Sequence, residues 1–161
     1  YYLVEMYIRN FYRKKLIDTL VDNKFPVKIV GEWWDKYDKS DRINLQKPVA
    51  FEQSLDMIAK SRILADSSPF FKMGVHDRVY AGMANNTVVM TDSNKYRENI
   101  LNGIAQMYHL NDIDDICMKA DKLLNDRAYY ENLVYNAHKE YEYNYTWNKV
   151  GERIIKHFLC E

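Results

Sequence analysis

Cysteine is scarce: Cys117 and Cys160 are the two among 161 residues, in different helical segments and without metal-type spacing. That leaves no disulfide framework and makes a reducing compartment, the cytoplasm, the expected home. Net charge is missing as well, because 23 Lys and Arg balance 23 Asp and Glu. Without a cationic surplus to displace counterions, no nucleic-acid partner is expected. No apolar run approaches the roughly 20 residues that span a bilayer, so no membrane span is expected. The first residues lack the charged and apolar regions of a signal peptide. There is no Gly-rich phosphate loop, no nucleophile elbow and no Cys–His pair at usable spacing. His109, His138 and His157 lie apart without ligand spacing, which argues against a metal site. Repeats and low-complexity tracts are also absent.

What is present is an alternation of helices and short strands. Leu3, Met6, Tyr7, Phe11, Leu16, Ile17 and Leu20 follow near-helical spacing over residues 3–22. Asn23 and Pro26 end that helix. Strands are read at Val27–Val30, Ile43–Leu45, Arg62–Ala65, Thr87–Met90 and Gly103–Tyr108. Helices are read at about 51–59 and 77–85, and then over 112–125, 127–141 and 146–159. Short apolar strands between helices predict a parallel sheet covered on both faces. The fold class is therefore α/β: a Rossmann-like three-layer α/β/α domain with a mostly parallel sheet and C-terminal helices. Residues 1–161 read as one domain. The chain opens on Tyr1 within a helical pattern, which reads as an excerpt from a longer protein.

Ligands of such sheets bind beyond the carboxyl ends of the strands. The richest stretch there runs from Ile63 to Asp92: a strand, the loop Ser67-Ser68-Pro69, then Gly74-Val75-His76-Asp77-Arg78, a helix, and a strand ending Thr91-Asp92. A helix opening at residues 76–78 turns its positive dipole end toward that edge, which suits a phosphate. Gly74 permits close backbone approach, and Arg78 adds a charge-assisted contact. The same residues admit a plain structural reading, with Asp77 as an N-cap, Arg78 on the surface and Gly74 in a turn.

The order of these pieces resembles the C-terminal domain of group 1-like glycosyltransferases, in particular a bacterial branch that includes spore-maturation-type proteins. The residues that carry it are Ile63-Leu64-Ala65-Asp66-Ser67-Ser68-Pro69, Gly74-Val75-His76-Asp77-Arg78-Val79-Tyr80, Met83-Ala84 and Val88-Val89-Met90-Thr91-Asp92. Further out, Ile8-Arg9, Arg13 and Leu16, then Pro26 to Gly31 with Trp33-Trp34, and Tyr145-Thr146-Trp147 are similar to other signatures of that family. The resemblance implies the donor-binding half of a GT-B glycosyltransferase. A nucleotide diphosphate-sugar would be the donor substrate, with no separate cofactor. Arg78 and the backbone of Gly74 to His76 would face the diphosphate and sugar, and Arg78 and His76 would stabilise the leaving group. Ser67 and Ser68 would border the pocket, Val49 would lie by the base, and Asp92 and Ser93 would close the far side. The acceptor site would come from an N-terminal Rossmann-like domain of the same longer chain, so this part alone would be inactive.

Two positions depart from the pattern. Ala81 stands where many relatives carry a ribose-binding Glu, and Asn86 stands where a glycine usually follows the helix. Asn tolerates the left-handed conformation that such a turn requires. Ala81 offers no side-chain acceptor, which keeps open a non-catalytic module with a degenerate pocket. A receiver- or flavodoxin-like interaction domain finds only faint support in Asp66 and Asp92. Asp112, Asp114 and Asp115 read as the charged start of a helix rather than a metal site. Asp38 and Asp41 read as solvated. Trp33 and Trp34 either pack beneath their loop or stack on a ligand. The run Tyr129, Tyr130, Tyr135, Tyr141, Tyr143 and Tyr145 is expected to dock on the domain.

Overall fold

The computed structural model describes residues 1–34 and 36–159; Cys160 lies outside them. Strand Val88–Asp92 is buried along its whole length. Its alternation sends Val88 and Met90 into one apolar cluster, with Tyr108, Ile116 and Leu123, and Val89 into another, with Val79, Met83 and Leu101. A strand covered on both faces belongs inside a parallel sheet that helices flank. Numbered in chain order it is β4, and it pairs in parallel with β3 (Ile63–Ala65) and β5 (Gln106–Tyr108) in the order β3-β4-β5. A second parallel pair joins β1 (Lys28–Val30) to β2 (Asn44–Gln46), with Ile29 opposite Leu45.

The helices are α1 (Tyr2–Asp22), α2 (Phe51–Ala59), α3 (Asp77–Ala84), α4 (Lys95–Ile100), α5 (Ile113–Asn125), α6 (Arg127–Asn144) and α7 (Trp147–Leu159). Leu16 and Leu20 of α1 and Ile116, Ala120 and Leu123 of α5 cover one face of β4. Val79 and Met83 of α3 cover the other. Helix α6 reaches both clusters, through Leu133 and Ala137. The result is the Rossmann-like three-layer α/β/α fold.

The elements agree with the sequence reading to within a residue or two at most ends, with three differences. The sheet is not continuous, since no pairing joins β1 to β3 among the described residues. The last strand is only Gln106–Tyr108, because Leu101 to Ala105 form a turn in which the Ile104 and Ala105 N–H groups both reach the Leu101 carbonyl. Helix α4 was not read from the sequence; Asn94 Oδ1 caps it by accepting from the Arg97 N–H at 2.9 Å.

Several local expectations hold. Asn86 has φ of +56° and serves as the left-handed residue before β4. Asp112 is the N-cap of α5, accepting from the Asp115 N–H at 3.0 Å. Asp38 and Asp41 are exposed, Asp38 beside Lys14 at 3.3 Å. Tyr129 and Tyr130 pack on one cluster and Tyr141 and Tyr145 on the other, whereas Tyr135 and Tyr143 face water. Trp34 packs edge-on against Tyr37, while Trp33, at φ +72°, is 82% exposed.

Candidate functional site

Strand β3 delivers Asp66 to the carboxyl edge of the sheet, where its N–H continues the ladder by bonding the Met90 carbonyl at 2.8 Å. The Asp66 carboxylate is 1% exposed. Its Oδ2 accepts from Ser68 Oγ at 2.8 Å and from Thr91 Oγ1 at 3.1 Å. Its Oδ1 finds no hydrogen-bond donor among the described residues and lies 3.3 Å from the Arg78 guanidinium. The Tyr108 hydroxyl, on β5, donates to the Asp66 carbonyl at 2.7 Å.

Ser67 and Ser68 are buried on the loop that follows, and Ser67 Oγ finds no partner among the described residues. The Ser68 N–H donates to Asp92 Oδ1 at 2.6 Å. Asp92 closes the end of β4, with Arg97 Nη1 2.7 Å from its other oxygen. Arg97 also donates to the Asp92 and Ser68 carbonyls, each at 2.8 Å. Burial pushes the Asp92 carboxyl above its ordinary pKa, although the Ser68 N–H and Arg97 oppose that shift. Asp92 thus ties the serine loop to β4. Beside it, the Ser93 N–H reaches the Tyr108 carbonyl at 2.7 Å and Ser93 Oγ contacts the Glu98 carboxylate.

Helix α3 opens at the same edge, and its N-cap is His76 rather than Asp77. The imidazole Nδ1 accepts from the Arg78 N–H at 3.4 Å, so the ring takes the place that a short Asp side chain was expected to fill. Asp77 becomes the first helical residue and contacts His76 Nδ1. Phe71 lies against the His76 ring, with centroids 5.5 Å apart. Arg78 is partly exposed, between Asp66 and the His76 ring. A Cβ on Gly74 would make only an ordinary contact with Phe71, at 3.6 Å, so internal packing does not demand glycine there. Ala81, half-buried in α3, has no side-chain acceptor.

Arg13 of α1 reaches this edge too. Burial lowers its pKa, and so do the charges of Arg78 and Arg9, while Asp66 pulls the other way. Arg13 and Arg78 therefore share one field beside the buried Asp66 carboxylate. Both line the mouth of a cleft of about 900 Å³ that also takes in Ser67 and runs down between β1 and β3. Val49 stands apart: it follows β2, beyond β1, and is partly exposed.

The structure thus gathers Ser67, Ser68, Gly74, His76, Arg78, Asp92 and Ser93 at one edge. Sequence reading missed Arg13 as a member of the site and Arg97 as its brace. The Asn94 cap could have revealed α4, and with it Arg97; nothing local marks Arg13 as a neighbour of Arg78.

A family model described as glycosyl transferase-like matches residues 9–156, which contain the whole of this edge. The chain belongs to that family. No curated protein matches it. For a glycosyl transferase-like domain, the arrangement offers two guanidinium groups and a helix N-terminus at the carboxyl ends of parallel strands, where an α/β sheet binds its ligands. Among the described residues no cluster of His, Cys, Asp and Glu is disposed to hold a metal ion, and no helix is long and apolar enough to cross a membrane.

Proposed function

We propose that this domain binds a nucleotide diphosphate-sugar and serves as the donor-binding, C-terminal half of a GT-B-type glycosyltransferase. The observation that carries the reading is the convergence of Arg78, Arg13 and the α3 N-terminus beside the buried carboxylate of Asp66. A diphosphate leaving group gains negative charge as the glycosidic bond breaks, and fixed cations and dipoles at that position stabilise the transition state without reorganising. Arg78 supplies the charge-assisted contact. His76 and the backbone from Gly74 face the phosphate and sugar, Ser67 and Ser68 form the near wall, and Ser93 lies on the far side. Asp92 acts through the serine loop it holds. Val49 lies toward the base. The acceptor and any general base come from an N-terminal domain of the longer protein, as in the bacterial spore-maturation-type branch that the sequence resembles.

A second reading, a non-catalytic binding module, draws on Ala81 and on the Asp66 carboxylate that already faces Arg78. Thermal denaturation with UDP, GDP, CDP, ADP and their sugar conjugates separates the two. A ligand at 100 times its Kd stabilises by about 2.7 kcal/mol, which raises Tm by roughly 5–10 °C in a domain of this size. A shift confined to one nucleotide family supports the donor site. A folded domain that responds to none of them favours the module.

A further inference from the structure

Trp33 and Trp34 are adjacent in the chain and opposite in environment. Trp34 is half-buried and packs edge-on against Tyr37, with ring centroids 5.6 Å apart. Tyr37 is pinned to α1 in turn: its hydroxyl donates to Asp18 at 2.6 Å, and Lys14 Nζ lies over its ring. Lys39 and Arg42 add contacts to Asp22 and to the Val21 carbonyl. On the other side, the Gly31 N–H extends the β1–β2 ladder by donating to the Gln46 carbonyl at 3.2 Å. Between these two fixed points Trp33 takes φ +72° and leaves its side chain in water.

Both features are unfavourable for a tryptophan. A bulky residue is strained in the left-handed region, where glycine is at home. An exposed indole also forgoes the burial that an aromatic side chain ordinarily gains on folding. Strain of this kind persists where the flanking structure holds it, and it collects at ligand clamps.

The place of Trp33 in the fold says what it clamps. It lines the same cleft as Arg13 and Arg78. It stands three residues past Val30, and Val49 stands three residues past Gln46; Val30 and Gln46 are register partners on adjacent parallel strands. Two exposed apolar side chains thus follow neighbouring strand ends on the β1–β2 side of the cleft. Arg78 and the α3 N-terminus lie on the β3 side. A ligand that spans both sides carries negative charge at one end and a flat apolar face at the other.

We infer that Trp33 is the stacking platform for the base of a nucleoside diphosphate whose phosphates meet Arg78 and Arg13. A base offers its π-face to an indole whatever its hydrogen-bonding edge, so Trp33 supplies affinity for the nucleoside as such. The inference rests on the proposed donor site and names the residue that separates a nucleotide from a bare diphosphate.

The test measures the binding of UDP, GDP, CDP, ADP and inorganic pyrophosphate to this chain by titration calorimetry. Trp33→Ala is expected to weaken the best nucleoside diphosphate by about 5- to 100-fold, the span of base–aromatic stacking, and to leave pyrophosphate unchanged. Trp33→Phe is expected to keep most of the nucleotide affinity. Trp33→Gly, which adopts a positive φ without strain, is expected to lose nucleotide affinity like Trp33→Ala while its Tm holds or rises. Full nucleotide affinity in Trp33→Ala overturns the inference and leaves the donor site standing. Equal weakening of nucleotide and pyrophosphate, or a lower Tm in Trp33→Gly, overturns it by making Trp33 a support of its loop. A parent that binds pyrophosphate as tightly as every nucleotide, or binds none of them, overturns both the inference and the donor reading.

Discussion

Arg97 and Asp92 form an ion pair at 2.7 Å with both side chains almost entirely out of water. Removing one partner of such a pair leaves a charge stranded in the interior. Arg97→Met is therefore expected to cost about 3–5 kcal/mol of folding stability, measured by urea denaturation. Arg97→Met with Asp92→Asn should recover part of that loss, since the stranded carboxylate is gone. A single variant within about 1 kcal/mol of the parent, the range of a surface pair, would show that the pair does not brace the serine loop.

Arg78 bears on binding more than on folding. Arg78→Ala should weaken the affinity for whichever nucleoside diphosphate shifts the domain by about 1.5–3 kcal/mol, as for a charged hydrogen bond. Arg13→Ala should act in the same direction. Titration calorimetry on folded variants checks both, and unchanged affinity in Arg78→Ala removes it from the diphosphate site.

Gly82 is fixed by packing rather than by a turn. A Cβ there would sit inside the Val89 Cγ2 methyl group and 3.3 Å from the Thr87 carbonyl, between α3 and β4. Alanine favours helices by about 1 kcal/mol over glycine, yet overpacking costs about 1–3 kcal/mol, and Val89 is buried and stiff at χ1. Gly82→Ala is expected to destabilise on balance. A higher urea midpoint for the variant would overturn the close packing of α3 on β4.

Acid should unfold the domain partly through Asp18 and Asp115. Burial pushes the Asp18 carboxyl up, but the Tyr37 hydroxyl at 2.6 Å, with Lys14 and Lys39, holds it below the usual range. Burial likewise opposes, and Lys119 with His109 outweighs, the shift at Asp115. A folded pKa below the unfolded value gives stability that is full above about pH 4 and is lost as pH falls through the folded pKa. Asp92 runs the other way: its raised pKa makes ionisation costly as pH rises through it. Urea midpoints from pH 3 to 7 should fall toward acid, less steeply in Asp18→Asn. An Asp18→Asn variant with the full acid loss would assign that loss elsewhere.

Much of the architecture was legible because its signals are local. The cap Asp112 accepts from an N–H three residues on, and Asn86 takes the left-handed turn that its side chain tolerates. The unbroken apolar run from Val88 to Met90 announced a strand buried on both faces. The end of α3 was harder to read, because His76 and Asp77 are both able to cap and only the ring's position decided between them.

Periodicity and capping act within a few residues, so the α/β class, the order of the elements other than α4 and the loop segment at the sheet edge could be read from the chain alone. Tertiary structure alone decided that Ser68 meets Asp92 across 24 positions, that Arg97 is buried beneath both, and that Arg13 shares a field with Arg78. It alone left β1 and β3 facing each other across an open slot. Charge pairing and sheet continuity depend on which strands lie side by side and in what register. Those are relations between distant segments, and no local pattern carries them.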